Sequence, residues 1–258
     1  MRTVDLVKSR LLPEQMHLRL QVREAAQAVG LEGDAVYSKY FRRMPLKLAG
    51  SLRRFGLDGR SVLDVGSGWG EFLVHFGPGS VGLEVEAQQV EFSRALHLEV
   101  VSGNVEDRPE LDRKFDVVWC SNLLEHLVAP HLGLLVLRSY LNAGGLALIS
   151  IPLVPTAIQR LFSRVVVGFE GFEAENHVNA FTRKTMVFFL ERAGFDVVES
   201  STYLPPRGRP RVLARSLDAL YPHMTFAAVP RAGGWINLEK RPYDCMPGWM
   251  ANWRDLYD

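Results

Sequence analysis

A chain of 258 residues with a formal net charge of +1 and two cysteines is long enough to bury one sizeable core. Apolar and charged fractions of 47% and 23% exclude a disordered, collagen-like or coiled-coil chain. So weak a net charge sets up no field to draw in a polyanion, and nucleic acid is not expected as a partner. Cys120 and Cys245 make no CxxC pair and no metal-ligand spacing, so a reduced, cytoplasmic protein with no metal site is expected. Charges interrupt every short apolar run of MRTVDLVKSRLLPEQ, and Glu125, His126 and His131 break the best membrane-span candidate. Neither a signal peptide nor an integral membrane segment is expected.

In chain order, residues 11–29 carry Leu18, Leu20, Val22, Ala25, Ala26 and Val29 at helical spacing, with Gly30 as the stop. A second helix is predicted from Asp34 to Phe55. Together they read as an N-terminal helical cap over residues 1–58. From Ser61 compact apolar runs alternate with helical patterns, the signature of βαβ units and a mostly parallel sheet. Strands are predicted at Ser61–Val65, Gly79–Leu83, Leu98–Ser102, Phe115–Cys120 and Leu146–Ile151, and two more at Phe195–Ser200 and Thr225–Val229. Helices are predicted at Ala87–Leu96, Leu123–Leu141 and Thr182–Ala193. The expected fold is a single doubly wound α/β domain: a mostly parallel seven-stranded sheet with helices on both faces, the core running over residues 59–230.

Leu204–Arg215, rich in Pro and Arg, reads as loop. Arg207, Arg209, Arg211 and Arg215 there, and Arg42, Arg43, Lys47, Arg53 and Arg54 earlier, read as solvated faces, with a patch for an acidic substrate or membrane surface as the alternative. Residues 231–258 hold Trp235, Tyr243, Trp249, Trp253 and Tyr257, too aromatic for a solvated tail. They are expected to pack on the domain or on a second copy, so a homo-oligomer stays open.

The segment VLDVGSGWGEF, Val62 to Phe72, carries the most chemistry. An apolar strand ends in Asp64, and Gly66, Gly68 and Gly70 form a tight turn expected to lead into a helix near Glu71. Missing side chains let a ligand approach the backbone, and exposed amides at a helix start bind polar groups, so a nucleotide-like ligand is implied. Glu84 closes the next apolar run, where a carboxylate can accept hydrogen bonds from ribose hydroxyls, with Glu86 as a less favoured substitute. Trp69 could pack over cofactor or substrate, or in the core.

With these neighbours the sequence resembles the class I S-adenosylmethionine-dependent methyltransferase family from about Ser61 to Ser200. VLDVGSGWGEF is similar to its first motif, VGLEVE to its acidic second strand, SGNVED to its adenine-side motif and FDVVWCSNLLEH to its fourth motif. LNAGGLALISIP and HVNAFTRKTMVFFLERAGFDVVE resemble its fifth-strand and late segments. The resemblance implies a Rossmann-like core with S-adenosyl-L-methionine as cofactor. It assigns Asp64, Gly66, Gly68 and Gly70 to the methionine end, counts Ser67 and Trp69 of the same turn among the cofactor contacts, and gives the ribose to Glu84. Asn104, where the family has Asp, and the Val105 amide fall at the adenine, and Ser121 and Asn122 at the floor beneath the sulfonium.

Methyl transfer from a sulfonium asks mainly for alignment, and a hydroxyl acceptor also needs a base. His177 is the first candidate and His126 the second, with the acids Glu125, Glu173 and Glu175 nearby in sequence. The expected activity is methylation of a small-molecule acceptor, most naturally at oxygen. Three rival readings are C-methylation or cyclopropanation of a lipid, a dinucleotide oxidoreductase, and a non-catalytic nucleotide-binding module. The oxidoreductase is disfavoured because Gly70 falls one position early for G-x-G-x-x-G.

Overall fold

The computed structural model describes residues 18–31, 48, 51–52, 54–155, 176–202 and 223–232. Most of the second N-terminal helix, Leu204–Arg215, the basic clusters other than Arg54, Glu173, Glu175 and the aromatic tail lie outside the described residues. The strands are β1 (Val62–Val65), β2 (Val81–Glu84), β3 (Val100–Ser102), β4 (Phe115–Ser121), β5 (Leu141–Pro152), β6 (Phe195–Thr202) and β7 (His223–Pro230). They form a seven-stranded sheet in the order β3-β2-β1-β4-β5-β7-β6. The helices flanking it with bounds set are α1 (Ala87–Ala95), α2 (Pro130–Ser139) and α3 (Arg183–Arg192). All seven predicted strands are present. The chain forms two compact units divided after Gly103.

In the first unit β1 pairs with β2 and β2 with β3, all parallel. Each residue of β1 and β2 is buried, as expected of parallel strands covered on both faces. Residues 18–28 are helical, and Val22 and Ala25 of that helix join Phe92 and Leu96 in one apolar cluster. That contact explains the three- and four-residue spacing in the sequence.

In the second unit β4 and β5 are parallel, while β7 runs antiparallel between β5 and β6. Strand β5 starts at Leu141, earlier than expected. Leu141 pairs with Phe115 before the register shifts, and Leu146 then pairs with Val117. The helix predicted from Leu123 starts instead at Pro130. Proline is suited to the first helical position, and the residue before it is driven from helical geometry: Ala129 sits at φ −126°, ψ 71°. His126 thus lies in an irregular turn after β4 and not on a helix.

Helix α3 opens with a capping box, the Thr182 and Thr185 side chains each bonding the other's backbone amide. Its Met186 and Leu190 are buried. Phe189 of α3 meets His131 of α2 edge-on at 6.1 Å. Burial, and after it the charge of Arg192, pushes the His131 imidazole down to about 4, against about 6.5 in the unfolded chain. Between those values the unfolded chain binds more protons. The contribution is therefore complete above about pH 6.5 and lost progressively as pH falls toward 4, on the order of 2 kcal/mol for a half-buried group. Thermal melts of His131→Phe should show a smaller loss of stability between pH 7 and 4 than wild type. Equal losses in the two proteins would remove His131 as a source of acid sensitivity.

Candidate active site

Strand β1 delivers the buried Asp64, 1% exposed, to the foot of the glycine turn. Gly66, Gly68 and Gly70 all have positive φ, at 71°, 57° and 77°, a region L side chains rarely enter. The Gly66 and Ser67 amides donate to the Leu83 carbonyl at 2.9 and 3.3 Å, so the turn hangs from the end of β2. A Cβ on Gly68 would stand 3.3 Å from Glu71 Oε2. Sequence reasoning missed Gly82 of β2, where a Cβ would stand only 2.7 Å from Ser67 Oγ and 2.9 Å from Leu73 Cδ2. Its signal was a glycine within an apolar strand, a mark of close approach by another segment.

No α-helix follows the turn. Where one was expected near Glu71, a single 3₁₀ turn spans Leu73–His75, and Phe76 is already extended at ψ 160°. Gly77 and Pro78 come next and prevent propagation. The glycine turn therefore has no α-helix N-terminus behind it to offer amides to a ligand.

Glu84, at the end of β2, is 7% exposed. Its Oε2 accepts the Gly68 amide at 2.7 Å, and its Oε1 accepts the Val85 and Glu86 amides at 2.9 and 3.0 Å. A carboxylate has about four acceptor lobes, so these backbone donors leave roughly one for a ligand hydroxyl. Glu86 itself is exposed and precedes α1. A turn with three glycines beside a carboxylate with acceptor capacity suits an adenosyl compound with a ribose diol. Trp69 packs edge-on against Phe92, ring centroids 5.3 Å apart, at the border of the cluster holding Val22 and Ala25.

In the second unit Asn104 caps the 3₁₀ turn Val105–Asp107, its Oδ1 accepting the Glu106 amide at 3.0 Å. That bond fixes the amide orientation and leaves Nδ2 as the group Asn104 can offer a ligand, where an Asp would offer only acceptors. Ser121 closes β4. Asn122 follows in left-handed geometry, φ 56°, its amide donating to the Ser150 carbonyl at 2.8 Å. Its Oδ1 lies 2.7 Å from Nε2 of His223, a residue that no sequence motif marked.

The segment with His177 is stitched to the turn after β4. Val178 and Asn179 donate their amides to the Glu125 carbonyl at 2.9 and 3.0 Å, and Asn179 Nδ2 donates to the Leu127 carbonyl at 2.5 Å. This brings together Glu125, His126 and His177, which sequence reasoning had only as separate candidates. One ligating atom from each lies within 4.8 Å of the others, Glu125 being buried and the histidines half-buried. The two imidazoles meet at 4.7 Å between centroids. His126 Nδ1 donates to the Asn176 carbonyl at 3.0 Å, which leaves Nε2 for chemistry. One carboxylate with two imidazoles can pass a proton, and is also a donor set that divalent transition metals accept.

Residues 40–200 match a family model described as a methyltransferase domain. The chain is 30% identical over 193 residues to a ubiquinone biosynthesis O-methyltransferase of Xanthomonas euvesicatoria pv. vesicatoria, covering 67% of this chain and 78% of that protein. A Klebsiella pneumoniae protein of the same name is 28% identical over 134 residues, covering 48% of this chain and 55% of its own length. Among solved structures, a SAM-dependent methyltransferase from Archaeoglobus fulgidus superimposes with a TM-score of 0.54 at 20% identity, over 76% of this chain and 99% of that one. At that identity the likeness shows the fold. Family match, relatives and fold agree, and the chain belongs to the class I S-adenosylmethionine-dependent methyltransferases.

Proposed function

We propose that this methyltransferase acts on a hydroxyl oxygen of a small, partly apolar acceptor, with His177 as general base and His126 as its alternate. The observation that carries the reading is the meeting of Glu125, His126 and His177 within 4.8 Å. Both relatives named above are O-methyltransferases, which favours oxygen over carbon. Val128 and Val178, 87% and 65% exposed beside these histidines in sequence, favour an acceptor with an apolar face.

Bound S-adenosylmethionine supplies a methyl group already activated by positive sulfur. In this reading Asp64, Gly66, Ser67, Gly68 and Gly70 receive its methionine end, with Trp69 bordering them, and Glu84 takes the ribose. Asn104 and the Val105 amide take the adenine, and Ser121 and Asn122 the sulfonium side. Holding the acceptor oxygen in line would supply roughly 7 to 11 kcal/mol of the barrier reduction. His177 would take up the proton that the acceptor hydroxyl gives up, which would add about 10² to 10⁴ in rate. Glu125 stabilises the imidazolium that results.

Titration calorimetry with S-adenosylhomocysteine should show Gly68→Val losing affinity by about 100-fold or more, with Gly68→Ala between it and wild type. Affinities unchanged in both variants would take the turn out of the cofactor contacts. With an acceptor found in a panel of small phenols, His177→Ala should keep cofactor affinity within a few-fold while turnover falls by about 10² or more. Near-normal turnover in His177→Ala with a large loss in His126→Ala would transfer the base to His126, and near-normal turnover in both would leave alignment as the source of rate.

A further inference from the structure

Asn122 occupies a demanding place. It is the first residue beyond β4, it is exposed, and its φ of 56° is one of three positive values among the described non-glycine residues. Asn tolerates that region better than most L residues but not without cost. Something must therefore hold it there. Its backbone amide is tied to the Ser150 carbonyl of β5 at 2.8 Å. Its side chain is tied separately, through Oδ1, to His223 Nε2 at 2.7 Å.

His223 comes from the opposite direction. It is the first residue of β7, pairs in register with Pro152, and is 7% exposed. The same register sets Thr225 opposite Ser150, and their hydroxyls lie 2.7 Å apart in a buried hydrogen bond. Two polar side-chain links thus reach β7: Ser150 of β5 to Thr225, and Asn122, just beyond β4, to His223. A buried imidazole in an otherwise apolar strand costs desolvation. Its hydrogen bond to the Asn122 side chain offsets part of that cost and holds that exposed amide in one orientation.

We propose that His223 is a positioning residue: by donating Nε2–H to Asn122 Oδ1 it fixes the rotation of the Asn122 amide. The bond also fixes the chemistry of that amide. With Oδ1 held by the imidazole, Asn122 offers a ligand its Nδ2 as donor. The opposite ring tautomer, with Nε2 as acceptor, would turn the amide over and offer the oxygen instead. The choice of tautomer therefore sets whether the end of β4 presents a donor or an acceptor. The inference rests on the proposed placement of Asn122 at the cofactor, and it adds a residue that touches neither cofactor nor acceptor.

The test is a double-variant cycle read by S-adenosylhomocysteine affinity, with melting temperatures recorded alongside. Asn122→Ala and His223→Leu should each weaken binding by about five- to tenfold, and the double variant should bind no more weakly than the poorer single one. His223→Gln, which carries an amide donor near the position of Nε2, should recover most of the affinity. His223→Asn, whose shorter amide falls near Nδ1, should not, and this pair gives the same contrast if His223→Leu folds poorly. Wild-type affinity in His223→Leu with weakened Asn122→Ala would overturn the positioning role. Additive losses in the double variant would overturn it too, since His223 would then act by another route. Unchanged affinity in Asn122→Ala alone would show that Asn122 is not at the cofactor, and this inference falls with that assignment while the glycine turn and Glu84 stand.

Discussion

The Glu84 carboxylate is the constraint on which the glycine turn of the first unit depends. The three left-handed glycines of the turn have no side chains to hold them. Here the end of β2 does that work twice: the Leu83 carbonyl takes the Gly66 and Ser67 amides, and the neighbouring carboxylate takes the Gly68 amide. The acid that the resemblance assigns to a ribose is thus also the acid that shapes the turn. Its near-complete burial, at 7% exposed, keeps those charge-assisted bonds from competition with water. Gly82 serves the same end from inside the strand, because its missing Cβ makes room for Ser67.

The Glu125, His126 and His177 cluster of the second unit follows a different logic. The turn after β4 has no regular structure to organise it, and order comes from a distant segment. Backbone amides of Val178 and Asn179 converge on one carbonyl, that of Glu125. The isolated bridge between Leu153 and Phe181 anchors the same segment at its other end. These are main-chain bonds, so the two histidines and the buried carboxylate meet on backbone that is already fixed. A chemical cluster held this way loses little entropy when it binds, which is the physical basis of preorganisation.

Much of the fold was legible in the sequence because its strands report their own burial. Val62–Val65 and Val81–Glu84 are buried residue by residue, and short, largely apolar runs are what such strands look like. The glycine turn and Glu84 were legible for a related reason: positive φ and a strand-end acid are local demands, met by residue type at one position. Two local readings failed where a proline overrode periodicity. Pro130 set the start of α2, and Pro78 stopped any helix after the glycine turn.

By itself, then, the sequence determined the strand set, the glycine turn and its acid, since each depends on residues within a few positions of one another, while the cofactor followed from the resemblance of motifs spread over Ser61–Ser200. Only the tertiary structure decided which polar groups meet. Glu125 and His126 join His177 because a loop is stitched to the turn after β4. His223 reaches Asn122 across 101 residues because β7 lies antiparallel beside β5 with His223 opposite Pro152. Register and strand order set such contacts, and neither is written in the spacing of apolar residues along one strand: the period of two says which face a residue takes, and not which distant strand will lie alongside.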